Sequence, residues 1–121
     1  MKLNNLRPVL WVEDVKATME YYTHILGFSL GAHLDNWQWG FVYRDGVEFM
    51  FAKPQDEFPY TGMYFSGSFY LNTDDVDAWW QFLKDRAEIY YAIDNFDYNM
   101  REFAIKDCNG FIIQFGQELV H

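Results

Sequence analysis

Polar and apolar positions alternate most strictly near the end of the chain. The runs Arg101–Lys106 and Phe111–Phe115 flank Asp107-Cys108-Asn109-Gly110. Asn-Gly between alternating runs predicts a β-hairpin, because both residues tolerate positive φ. Alternation sorts the side chains onto two faces. Phe103, Ile105, Phe111, Ile113 and Phe115 form an apolar face that should meet a helix layer. The other face carries Met100, Glu102, Ala104 and Lys106, then Ile112 and Gln114. A face that mixes acid, amide and apolar groups is either wet or lines a pocket.

The rest of the chain follows the same periodicities. Leu6–Val12 predicts a strand, with Pro8 suited to its edge. Asp14 is an N-cap for a helix over Val15–Leu26, whose Val15, Met19, Tyr22 and Leu26 form one stripe, and Gly27 stops it. Phe28–Leu34 is a weaker strand and Asp35-Asn36 a turn. Trp37–Arg44 is a strand with Trp37, Trp39, Phe41 and Tyr43 on one face. Asp45-Gly46 turns it back into Val47–Ala52. After a stretch with two prolines and a glycine, Tyr64–Thr73 is a strand and Asp74 caps a helix from Asp75 to about Arg86, with Val76, Trp79/Trp80 and Leu83 as its stripe. Glu88–Ile93 is a short strand and Asp94–Asn99 a polar-aromatic loop before the hairpin.

The second half repeats the first. Val12-Glu13-Asp14-Val15 superposes on Thr73-Asp74-Asp75-Val76 at an offset of 61 residues. Asp45-Gly46-Val47-Glu48-Phe49-Met50-Phe51 superposes on Asn109-Gly110-Phe111-Ile112-Ile113-Gln114-Phe115 at an offset of 64. The chain is thus one domain of two β-α-β-β-β modules, 1–53 and 64–121, joined by a linker over 54–63 that Pro54 and Pro59 stiffen.

The run R-E-F-A-I-K-D-C-N-G-F-I-I-Q-F resembles the last hairpin of bleomycin-resistance-type proteins in the vicinal oxygen chelate superfamily, which also holds glyoxalases and dioxygenases. Their usual turn is Asp-Pro-Asp/Ala-Gly; Cys108-Asn109 replaces its middle here. L-R-P-V-L-W-V-E-D-V and Y-Y-T-H-I-L-G-F resemble the same family's first strand and helix. The resemblance implies an α+β fold: paired βαβββ modules forming a strongly curved mixed sheet, helices outside, ligand site on the concave face. The superfold hosts many chemistries, so it does not fix the substrate.

In metal-dependent members four positions on that face hold the metal as His, Glu or Gln. Carried over by the resemblance they are Arg7, Met50, Ser68 and Gln114, and the two offsets map Arg7 onto Ser68 and Met50 onto Gln114. Arginine has donors only, and thioether and hydroxyl are poor ligands for hard or borderline cations. Glu48, two residues from Met50 on the same face, does not complete a set. His24, His33 and His121 share no face and no metal-binding spacing, and read as surface residues. No metal and no cofactor are therefore expected. Cys108 lies beside Asp107, whose charge opposes thiolate formation. No nucleophile elbow and no nucleotide-binding glycine pattern occurs.

Composition narrows the partners. The net charge of −9 gives nucleic acid and anionic membrane surfaces nothing to hold. No apolar run approaches the length of a membrane span, no signal peptide is visible, and a lone cysteine excludes an internal disulfide, so a cytoplasmic protein is expected. An aromatic share of 21% exceeds what a small core requires and leaves rings for a ligand. Strand parity places Arg7, Trp11, Glu48, Met50, Ser68, Tyr70, Asn72, Glu102 and Gln114 at the site, with Trp37 and Trp39 as wall candidates. Rings with carboxylates suit a flat or cationic organic molecule, with Glu48 or Glu102 supplying the charge. In the competing structural reading the rings only fill the sheet and Arg7 pairs with Glu102. The expected function is that of a bleomycin-resistance-type binding protein which sequesters a drug-like ligand without catalysis, an antibiotic-resistance role. The alternative is a metal-dependent glyoxalase-like lyase or isomerase, or a dioxygenase. The relatives usually pair modules across a homodimer, which implies a second copy of this chain as partner.

Overall fold

The computed structural model describes residues 1–56 and 60–120. Pro59 of the expected linker and His121 lie outside the described residues. The chain divides into two compact units, Met1–Met63 and Tyr64–His121.

The first unit holds β1 (Val9–Trp11), α1 (Val15–His24), β2 (Ser29–His33), β3 (Trp39–Arg44) and β4 (Val47–Ala52). Its sheet order is β1-β4-β3-β2. The second holds β5 (Phe69–Asn72), α2 (Val76–Leu83), β6 (Glu88–Phe96), β7 (Met100–Lys106) and β8 (Ile112–Glu118), in the order β5-β8-β7-β6. In each sheet the first strand joins the last in parallel and the other pairs are antiparallel. Each unit is the β-α-β-β-β module expected from the repeat, and the α+β architecture is that of the resembled family.

The repeat extends to the register. Val9 pairs with Met50 in the first sheet and Tyr70 with Gln114 in the second, each offset by 61 and 64 residues. Such agreement fixes which positions of the two sheets are equivalent.

The helix stripe forms as its spacing predicts. Val15, Met19, Tyr22 and Leu26 are all buried and meet Leu10, Val12, Val42, Phe49 and Phe51 from the sheet. Tyr22 packs against Phe49 and Phe51 at 5.5 and 4.9 Å. In the second unit Val76 and Leu83 are buried, Trp79 stacks on Phe115 at 5.0 Å, and Trp80 meets Phe103 edge-on.

Several boundaries differ from expectation. The N-cap of α2 is Asp75, not Asp74: its carboxylate accepts from the Ala78 N–H at 3.0 Å. Asp14 does the same for Ala17, and the repeat itself aligns Asp14 with Asp75. The strands expected over Leu6–Val12 and Tyr64–Thr73 shrink to Val9–Trp11 and Phe69–Asn72, so Arg7 and Ser68 precede their strands. β6 runs on to Phe96, through register shifts on both sides of Tyr91, and only residues 97–99 turn. In the final hairpin only Gly110 takes positive φ (93°). The turn is held by the Asp107 carboxylate, which accepts from the Asn109 and Phe111 N–H groups at 2.8 Å each.

Candidate functional site

Each sheet has one face against its helix and one turned away. Burial of Gly40 and Val42 places Trp39, Phe41 and Tyr43 on the face turned away in the first unit. Parity alone could not decide this for β3.

Trp37 is not on that face, because it is not in the strand. It lies in the turn before β3 with φ of 57°. Its ring stacks on His33, 3.9 Å between centroids and 7° from parallel, and the Lys16 ammonium lies 5.7 Å from its centroid. The alternation that ran through Trp37 breaks at this turn, so it is no wall of a sheet-face site.

In the first unit Arg7 meets Glu48 through two hydrogen bonds of 3.1 Å, from Nε and from a terminal nitrogen. Asn5 donates to the same carboxylate at 2.6 Å, and the guanidinium lies 4.5 Å from the Phe41 centroid. The hydrogen bond from Arg7, then the pair's Coulomb attraction, hold the Glu48 carboxyl below its usual range; the same bond raises Arg7. Arg7 thus pairs with Glu48 and not with Glu102. Glu48 has its counter-charge inside the chain. Met50, Trp39 and Trp11 share this face; Met50 and Trp39 are half-buried and Trp11 is exposed.

In the second unit four of the sequence-derived residues join one network. Glu102, on β7, is fully buried. Its Oε1 accepts from the Tyr70 hydroxyl at 3.2 Å. Its Oε2 accepts a short hydrogen bond from Tyr91 and a longer one, 3.4 Å, from the Gln114 amide. The Tyr98 hydroxyl feels the same carboxylate, which raises its pKa. Gln114 donates to the Tyr91 oxygen at 2.9 Å, and its carbonyl accepts from Ser68. Asn72, at the end of β5, is exposed and pairs in register with Gly116 outside this network.

Tyr70 reaches Glu102 by crossing β8. Gly116 pairs in register with Glu102, and a Cβ on Gly116 would lie 2.0 Å from the Tyr70 hydroxyl. Glycine is required here by close approach. The phenols are hard to ionise. Burial, then the charge of Glu102, pushes Tyr70 up to about 12. Burial, then the bond to Glu102, raises Tyr91. The Glu102 carboxylate and then burial push Tyr98 up to about 12. All three remain neutral at physiological pH.

Tyr91, Tyr98, Phe41 and Asn5 were not found from the sequence. Tyr91 lies between two register shifts that scramble parity. Tyr98 is in a turn, and Asn5 precedes any regular element.

The four family metal positions do not fit a metal. Arg7 is a cation, the Met50 sulfur a soft donor, and Ser68 and Gln114 are neutral and bonded to each other. Among the described residues no group of three or more His, Cys, Asp and Glu could hold one. Nor is any described helix long and apolar enough to cross a membrane.

Residues 4–115 match the model of the Glyoxalase/Bleomycin resistance protein/Dioxygenase superfamily, and the chain belongs to that superfamily. No curated protein matches it. Among solved structures it is similar to TioX from Micromonospora sp. ML1, with a TM-score of 0.78 and 17% identity over 96% of this chain and 99% of that one. It is equally similar to a protein of unknown function from Agrobacterium tumefaciens str. C58, TM-score 0.78 and 17% identity over 98% and 97%. A lactoylglutathione lyase from Agrobacterium tumefaciens follows, TM-score 0.73 and 18% identity over 94% and 92%. These likenesses establish the fold.

Proposed function

We propose that this chain is a non-catalytic binding protein of the bleomycin-resistance type, which sequesters an aromatic or cationic organic molecule. One observation carries this reading. Of the four positions that hold the catalytic metal in metal-dependent relatives, three carry groups already bonded inside the chain, Arg7 to Glu48 and Ser68 to Gln114, and the fourth is the thioether of Met50. A lyase, isomerase or dioxygenase of this superfamily needs an open metal coordination sphere, and these residues do not provide one. What they leave is ring surface beside polar anchors, Trp11 and Trp39 in the first unit and Tyr70 in the second, each suited to a flat ligand. An antibiotic-resistance role in the cytoplasm is the physiological form of this proposal.

Titration with bleomycin-type glycopeptides and planar aromatics, neutral and cationic, should quench tryptophan fluorescence and raise the melting temperature. A panel with no quenching and no thermal shift would remove the proposal. Protein purified without chelator should carry no stoichiometric Zn, Ni, Fe or Mn. Such a metal, lost on Gln114→Ala, would restore the enzyme reading. We also propose a homodimer as the working form. Val9, Trp11 and Tyr43 are exposed on a face that the helix of their unit does not cover, and a second copy would bury such apolar surface. Light scattering at micromolar concentration should give twice the 14.5 kDa chain mass; a ligand-binding monomer would exclude the dimer.

A further inference from the structure

We propose that Glu102 is the anchor for an organic ammonium group, a quaternary or methylated amine, and that Tyr70 is the gate over it. This rests on the ligand-binding reading above and names the chemistry of its second-unit half.

The internal repeat supplies the first argument. Trp39 pairs with Ala52 in the first sheet, and Glu102 with Gly116 in the second. With Val9 equivalent to Tyr70, the trio Tyr70, Gly116 and Glu102 stands where the first unit has Val9, Ala52 and Trp39. The same strand frame is therefore built in the first unit with no charged group and no hydroxyl at these three positions. The fold does not require a carboxylate here, nor a glycine for a phenol to cross.

Charge supplies the second. A fully buried carboxylate is costly unless paired. The hydrogen-bond partners of Glu102 among the described residues are two phenols and an amide, all neutral. Among the described residues none forms an ion pair with it. A cation brought to this carboxylate gains a Coulomb attraction that no ion pair among the described residues supplies.

The type of cation follows from the rings. Tyr91 meets Phe96 edge-on at 5.7 Å, and Phe96 stacks with Tyr98 at 5.5 Å. Aromatic surface beside one carboxylate suits alkylated ammonium, whose methyl groups carry charge onto ring faces. A metal ion would need several hard donors instead.

The gate follows from which oxygen each donor holds. Tyr91 and Gln114 hold Oε2, and Tyr70 bonds Oε1 at 3.2 Å. Tyr70 is 37% exposed and lies over the bare backbone of Gly116. Rotation of Tyr70 about χ1 frees Oε1 while Oε2 stays held, so the carboxylate keeps its orientation as the cation enters.

Calorimetric titration of the intact protein with phenyltrimethylammonium, and with its neutral isostere tert-butylbenzene, tests both parts. The cation should bind at least tenfold more tightly than the isostere. Glu102→Gln should weaken it at least tenfold. Tyr70→Phe, which unties the gate, should tighten it severalfold, and Gly116→Ala, which displaces the ring, should do the same. Equal affinity for cation and isostere in the natural chain overturns the anchor without recourse to any variant, as does undiminished binding by a folded Glu102→Gln protein. Unchanged or weaker binding by Tyr70→Phe overturns the gate. If the cation fails to bind while neutral planar aromatics still quench tryptophan fluorescence, this inference falls and the ligand-binding reading stands. If neither binds, both fall.

Discussion

Replacing Tyr91 with phenylalanine removes one oxygen and little volume, so its effect isolates the hydrogen bonds. That oxygen donates to a fully buried carboxylate and accepts from the Gln114 amide at 2.9 Å. A hydrogen bond to a charged group contributes about 1.5–3 kcal/mol net, and a buried acceptor that loses a donor retains its desolvation penalty. Glu102 would keep Tyr70, while the Gln114 amide nitrogen would keep only its 3.4 Å contact to Oε2. The expected loss is about 2 kcal/mol. For a chain of this length each kcal/mol moves the melting point by about 4 °C, so the expected fall is about 8 °C. Tyr98→Phe removes a hydroxyl from a residue 59% exposed, where water replaces the lost partner, and should cost under about 0.5 kcal/mol. Tyr70→Phe should fall between the two. Urea denaturation followed by far-UV circular dichroism measures all three, and midpoints should shift with the slope m unchanged. Equal costs for Tyr91→Phe and Tyr98→Phe, or no cost for Tyr91→Phe, would refute the account of Glu102 as a buried carboxylate held by its donors.

Other outcomes follow from the same structure. Tyr70 and Tyr98 have folded values near 12, above the ordinary phenol value of about 10, and Tyr91 is raised as well. A raised phenol adds stability that is fully present below pH 10 and is lost as pH rises through 12. Absorbance at 295 nm should therefore show three of the nine tyrosines resisting ionisation at pH 11, and Glu102→Gln should ease all three; simultaneous titration of every tyrosine near 10 would contradict this. Asp75→Ala should cost about 1 kcal/mol through loss of the α2 cap. Asp74→Ala should cost far less, because Asp74 contributes a backbone carbonyl to Gln117; the reverse order in thermal melts would return the cap to Asp74.

The two β-α-β-β-β modules were legible in the sequence because their signals are local. Period-two alternation, a helix stripe at Val15, Met19, Tyr22 and Leu26, and turns at Asp45-Gly46 and Asn109-Gly110 each depend on neighbours a few residues apart. The repeat then fixed the register, since equivalent residues must pair equivalently, and it pointed to Asp75 as the cap where the first choice was Asp74. The face of the last hairpin that carries Glu102 and Gln114 was read correctly for the same reason. Charge partners were not legible. Arg7 chooses Glu48 because β1 lies parallel to β4, a pairing that brings together residues 41 apart. Trp37 left its expected strand because a turn with positive φ intervenes. Tyr91 and Tyr98 escaped notice because register shifts and a turn erase parity. Only the folded chain decides that two phenols, from β5 and β6, meet one carboxylate on β7, since a hydrogen bond depends on side-chain reach across strands and sequence periodicity encodes only the face.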